Sequence, residues 1–145
     1  MTQKQLEDYL WGAANILRGM IDAADFKQYI FPLLFFKRIS DLWDEEYRLA
    51  LEESDNDLSY AQFAENHRFQ IPEGCHWEDV RKKTVDVGAY LQKALTGIEN
   101  ANFEMLHDVF GDAQWTNKRR MSDEKMLDLI EHFSKMDLSV ANVPH

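Results

Sequence analysis

Cysteine is nearly absent. Cys75 is the only one in 145 residues, so the chain cannot close an internal disulfide, which fits a reducing cytoplasm. The six glycines (Gly12, Gly19, Gly74, Gly88, Gly97 and Gly111) are all isolated, so no glycine-rich loop is offered to phosphate or adenosine. The three prolines, Pro32, Pro72 and Pro144, are never adjacent. The longest apolar run, residues 29–36, is eight residues, against about 20 for a membrane span, so it is core and no membrane segment is expected. The first residues lack a basic start followed by an apolar stretch, and no secretory signal is visible. The five histidines, His67, His76, His107, His132 and His145, form no pair at three- or four-residue spacing, and Cys75 with His76 has no second ligand pair, which argues against a structural zinc site. No G-x-S-x-G turn occurs. Standing alone, these residues do not describe an enzyme.

Cations are the minority, with 16 Lys and Arg against 26 Asp and Glu and a formal charge of −10. Binding nucleic acid over a whole surface requires clustered cations that displace counterions, so this composition excludes it. Residues 41–57 hold eight carboxylates and a single base, Arg48, and read as a solvated face. Two small basic groups stand apart: Arg81, Lys82 and Lys83, then Lys118, Arg119 and Arg120. Any phosphate contact must be local to them.

What is abundant is apolar surface. Hydrophobic residues make up 45% and aromatics 12%, enough for a core. Residues 26–46 are the densest stretch: Phe26, Tyr29, Ile30, Phe31, Leu33, Leu34, Phe35 and Phe36 fall within its first eleven positions. A surface helix carries one apolar stripe of roughly 100°. A helix apolar around most of its circumference is expected to be buried on several sides, as the central post of the domain. Asp25 and Gln28 have capping-box spacing at its start, and Pro32 predicts a kink or a separate first turn. Beyond the proline, Phe35, Ile39, Leu42 and Trp43 continue the apolar face, while Lys37, Asp41, Asp44 and Glu45 are expected to look outward.

Periodicity supplies neighbours for this helix. Thr2 and Gln5 fit a capping box ahead of a stripe at Leu6, Tyr9, Leu10, Ala13, Ala14 and Leu17, which Gly19 closes. A short helix is expected near Tyr60, a brief extended segment over residues 68–72, and one or two helical turns over 77–82. Val87, Leu91, Ala94, Leu95 and Ile98 define another helix, broken at residues 100–102. Phe103, Leu106, Val109 and Phe110 predict a shorter one closed by Gly111. Ser122 or Asp123 caps a last helix carrying Met126, Leu129, Ile130 and Phe133. The fold class is all-α, an irregular bundle of about five to seven helices around a central kinked helix, as one domain over residues 1–145. Trp11, Trp43, Trp77 and Trp115 are first read as core, with one or two as an exposed partner patch.

Several strings in order resemble a known family. Leu10, Trp11, Gly12, Ala13, Ala14, Asn15, Ile16, Leu17, Arg18 and Gly19 precede the Tyr29, Ile30, Phe31, Pro32, Leu33, Leu34, Phe35, Phe36, Lys37, Arg38, Ile39, Ser40 and Asp41 helix. Ile71-Pro72, Trp77, Val87-Gly88, Ile98-Glu99-Asn100, Val109-Phe110 and the run Leu129, Ile130, Glu131, His132, Phe133, Ser134 follow. The chain resembles the N-terminal helical domain of the modification subunit of type I restriction-modification systems. That resemblance implies an N6-adenine DNA methyltransferase using S-adenosylmethionine, whose catalytic domain is expected beyond residue 145. No catalytic, cofactor-binding or metal-binding residue carries over onto these 145 positions. The implied partners are a specificity subunit, a second modification subunit, DNA in the assembled complex and, as an addition the family admits, a restriction subunit, all in the cytoplasm. The candidate phosphate contacts are Arg81, Lys82, Lys83, Lys118, Arg119 and Arg120. Two other readings compete: an independent acidic helical adaptor, and a small helix-turn-helix regulator, weakened because no helix concentrates cations.

Overall fold

The computed structural model describes residues 1–142. Among them are seven α-helices, two 3₁₀ turns and no strand. In chain order the helices are α1 (Gln3–Leu17), α2 (Phe26–Glu53), α3 (Leu58–Ala61), α4 (Trp77–Arg81), α5 (Val87–Ala101), α6 (Phe103–Leu106) and α7 (Asp123–Ser134). This is the all-α bundle expected from periodicity.

Local chemistry sets the ends. The Thr2 hydroxyl accepts from the Gln5 amide at 3.1 Å while the Gln5 side chain accepts from the Thr2 amide at 2.7 Å, closing the capping box of α1. Gly19, at φ +88°, turns the chain after α1. The expected cap at Asp25 does not form. Asp25 ends a 3₁₀ turn, Ala23–Asp25, with helical backbone angles, so its side chain is not presented to the α2 amides. Of the two outcomes expected at Pro32, a kink or a separate first turn, the second does not occur: α2 is one helix of 28 residues through Pro32, about 42 Å long. The fully buried Tyr29, Leu33 and Phe36 hold it on both sides of the missing hydrogen bond. Asp55 and Asn56, both at positive φ, end it, and the Asn56 amide donates to the Leu51 carbonyl at 2.8 Å.

The extended segment over 68–72 finds no partner strand. The Asn102 side chain takes that place, accepting from the Gln70 amide and donating to the Gln70 carbonyl, both at 2.8 Å. The helix expected from Phe103 to Phe110 stops at Leu106, because His107 leaves the helical region at ψ 135° and Asp108 follows at φ +62°, turning the chain. The two cap candidates before α7 both act, in different places. The Ser122 hydroxyl accepts from the Lys125 amide at 3.2 Å, capping α7. The Asp123 carboxylate accepts from the Asp86 and Val87 amides at 3.1 Å, capping α5 across the bundle.

The core cluster joins α1, α2, α4, α5, α6 and α7. Tyr29 meets the edge of Trp115 at 5.1 Å and Phe36 packs on Trp77 at 5.0 Å. As expected of the central helix, α2 packs against α1, α3, α4 and α7, and α7 shares the centre, packing against α1, α2, α4 and α5. Its buried face, Met126, Leu129, Ile130 and Phe133, fills the space between them. The apolar excess of α2 is therefore not all internal: Phe31 and Phe35 remain 40% and 42% exposed. Of the four tryptophans, Trp77 and Trp115 are core, Trp43 is half-buried, and Trp11 is exposed.

Candidate functional site

The two basic groups lie closer than their separation in sequence implies. α4 carries Arg81 at its end, followed by Lys82 and Lys83. The Lys118 ammonium reaches the Asp86 carboxylate, three positions past Lys83, so the loop bearing Lys118, Arg119 and Arg120 lies beside the turn that follows α4. Asp86 can sit there because it holds a left-handed conformation, φ +54°.

Within this surface the six cations divide in two. The Arg81 guanidinium donates to both oxygens of Glu131, at 2.8 and 3.0 Å, and to Glu78 at 3.1 Å. Those hydrogen bonds, first of all to Glu131, raise its already high pKa, and Arg81 in turn lowers that of Glu131. Lys118 is raised by its hydrogen bond to Asp86, with Asp123 at 3.8 Å, and Arg120 stands 3.7 Å from Asp25. Lys82 and Arg119 have no ion-pair partner among the described residues, and Lys83 lies over the Tyr90 ring at 4.4 Å without a carboxylate. A cation already bound to carboxylate offers little to phosphate, so Lys82, Lys83 and Arg119 are the available ones.

The acidic half of α2 holds a second constellation, whose residues the local pattern assigned to solvent. Lys37 and Asp41 do not look outward. Their side chains are 7% and 14% exposed, and the Lys37 ammonium donates to both Asp41 oxygens and to the Met136 carbonyl, each at 2.6 Å. The Leu138 amide donates to Asp41 at 2.8 Å, Arg38 donates to the Leu138 carbonyl, and the Val140 and Ala141 amides donate to Glu45 at 3.1 and 3.4 Å. The segment that leaves α7 thus finds its hydrogen-bond partners on α2 rather than in a sheet or helix. Burial raises the Asp41 pKa in spite of Lys37. Asp44 is exposed as a whole residue, yet desolvation of its carboxyl, with Asp41 nearby, raises it from 3.8 to about 6. The acidic run is therefore a docking edge for the chain's own backbone in its first part, and a solvated face only beyond that.

Beside it, Trp43 stacks flat on His67 at 4.2 Å and meets His76 edge-on at 4.7 Å. His67 is buried, with one ring nitrogen 2.7 Å from the Ala61 carbonyl and the other 3.4 Å from Glu46. Burial lowers the pKa of His76. Residues nine apart in sequence meet here, but no group of three or more ligating side chains suited to a metal occurs among the described residues. The legible signal for the Lys37–Asp41 pair was its four-residue spacing directly after the apolar run; the histidine contacts had none.

No helix among the described residues is long and apolar enough to cross a membrane. The family model described as the HsdM N-terminal domain matches residues 6–133, from Leu6 in α1 to Phe133 near the end of α7. That span takes in both basic groups and most of the core, and it favours the assembly reading over an independent adaptor. The chain belongs to this family: it is the N-terminal assembly domain of the modification subunit of a type I restriction-modification methyltransferase.

Proposed function

We propose that the domain serves an N6-adenine DNA methyltransferase as a non-catalytic element that joins its subunits and follows the DNA backbone. Adenine methylation needs an extrusion pocket, a cofactor loop and a polar clamp on the exocyclic amine. The isolated glycines and unpaired prolines of this chain furnish none of these, so S-adenosylmethionine and the target base belong to the catalytic domain of the full-length subunit. The specificity subunit and a second modification subunit are its protein partners, in the cytoplasm.

The observation that carries the DNA reading is the partition of the six basic residues. Arg81, Lys118 and Arg120 are bound by carboxylates, while Lys82, Lys83 and Arg119 have no carboxylate partner among the described residues. Contacts of this kind position a protein on the duplex and carry no base information. The test is the salt dependence of DNA binding by the assembled methyltransferase. Replacing Lys82, Lys83 and Arg119 by Gln is expected to lower the slope of log affinity against log salt by up to about 3, near 0.9 for each phosphate no longer neutralised, with the recognised sequence unchanged. An unchanged slope refutes the contact. The isolated domain is expected to show no heat of S-adenosylmethionine binding; a clear isotherm refutes the division of labour.

A further inference from the structure

A hollow of about 220 Å³ opens between α2, the extended segment over residues 68–72 and the stretch around α6. Its floor is apolar: Ile39 and Leu42 from α2, Phe69, and Leu106 with Val109. Two arginines line it as well, Arg38 from α2 and Arg68 from the extended segment. Neither guanidinium has a carboxylate partner among the described residues, although the chain carries 26 acids. Glu46 accepts from the Arg68 backbone amide at 3.1 Å and not from its guanidinium. Arg68 lies over the Phe69 ring at 5.5 Å, and Arg38 donates to the Leu138 carbonyl, so each is held in place with donors of its fork unused. Phe35 lines the same hollow, 42% exposed and stacked on Phe31 at 6.3 Å.

We propose that this hollow is a docking site for a peptide segment of another protein, one in which an apolar side chain stands next to a carboxylate. Volume decides against a cofactor or nucleotide, because pockets that bury such ligands run from about 300 to 1,000 Å³. A hollow of about 220 Å³ accommodates one large side chain. Charge decides what accompanies that anchor. A purely apolar occupant would desolvate both guanidinium groups and give them no partner. A carboxylate beside the anchor pairs with their planar forks, and the attraction strengthens as the occupant displaces water from the apolar floor. A nucleic-acid strand fits less well. Its phosphates require clustered cations, and Glu104 and Asp108 are exposed on the stretch that supplies Leu106 and Val109, where they oppose a continuous polyanion. Arginine and aromatic residues are also the types enriched at the centres of protein interfaces. The chemistry of these residues alone sets the occupant, so the proposal stands apart from the subunit-joining role and from the phosphate contacts of Lys82, Lys83 and Arg119.

Fluorescence anisotropy of a short labelled peptide, with one phenylalanine between two glutamates, tests the site on the whole chain. Binding is expected with a Kd below about 1 mM. Exchanging the phenylalanine for alanine, or the glutamates for glutamines, is expected to weaken it about ten-fold, and so are Phe35→Ala and Arg68→Gln. Both residues are exposed, so these variants fold, which circular dichroism checks. The methyl NMR signals of Ile39, Leu42, Leu106 and Val109 are expected to shift when the peptide binds. No binding, shifts confined to other residues, or binding indifferent to the glutamates or to Arg68→Gln overturns the proposal. Three further outcomes overturn it in favour of another occupant. Free phenylpropionate that displaces the label as well as the unlabelled peptide does makes the hollow a small-molecule site. A single-stranded oligothymidylate that does so makes it a nucleic-acid site. Self-association of the chain that the peptide abolishes gives the hollow to a second copy. No other subunit takes part in these measurements, so their failure leaves the role of the chain in the methyltransferase as it stands.

Discussion

Replacing Lys37 by Met tests whether α2 is held by an interior ion pair. The ammonium of Lys37 makes three contacts at 2.6 Å, two to Asp41 and one to the Met136 carbonyl, with its side chain 7% exposed. Methionine keeps the apolar stem and removes the charge, so the loss of stability reports the polar interactions. Breaking a buried pair by removing one partner costs ~3–5 kcal/mol. Asp41 keeps 14% exposure and the Leu138 amide as a donor, which places the loss at the lower end, ~3 kcal/mol. Asp41→Leu strands the buried ammonium and is expected to cost a similar ~3 kcal/mol. Burial already raises the Asp41 pKa in spite of Lys37, so desolvation outweighs the attraction. The double variant, which removes both charges, therefore loses no more than either single one, a coupling of ~3 kcal/mol. Urea unfolding followed by tryptophan fluorescence provides the assay, since Trp77 is buried 5.0 Å from Phe36 beside this network. The Lys37→Met loss also shrinks as pH falls, because the stranded Asp41 takes up a proton. Additive single losses, or a Lys37→Met loss below ~1 kcal/mol, refute the reasoning.

Two further outcomes are expected. Gly88→Ala gains at most ~1 kcal/mol of helix propensity, but its Cβ would lie 1.9 Å from the Trp115 carbonyl oxygen, and backbone cannot yield cheaply. A net loss of ~2 kcal/mol in thermal unfolding is expected from the overpacking, and a neutral or stabilised variant refutes the close approach of α5 to that loop. Asp44 holds its proton longer in the folded chain, with a pKa of about 6 against its ordinary 3.8. Below 3.8 both states are protonated; between the two values the native state binds more protons, so this residue makes stability fall as pH rises through that window and level off above it. Asp44→Asn should flatten that part of the curve, and an identical pH profile for the variant rules the account out.

The helices were legible because apolar periodicity records which face each one buries. Leu6 to Leu17, Val87 to Ile98 and Met126 to Phe133 lie inward as their spacing implies. Where the expectation failed, a non-local partner had taken a group the local pattern assigned elsewhere. Asp123 looked like a cap for its own helix and caps α5 instead. Lys37 and Asp41 looked solvated, since no nearby residue hints that the backbone of residues 136–138 lies on them. The six candidate phosphate contacts were visible as two basic groups, but nothing in their spacing showed that carboxylates at Glu131, Asp86 and Asp25 occupy three of them.

The sequence by itself determined the all-α class, the buried stripes and the family, because these depend on residue type at fixed spacing along the chain. Only the tertiary structure decided that α7 shares the centre with α2, that Phe31 and Phe35 stay exposed, and which cations remain without carboxylate partners. Those depend on which surfaces meet across the bundle. Burial and Coulomb interactions act through space, so residues nearly a hundred positions apart, such as Lys37 and Met136, settle one another's environment without leaving a local pattern to read.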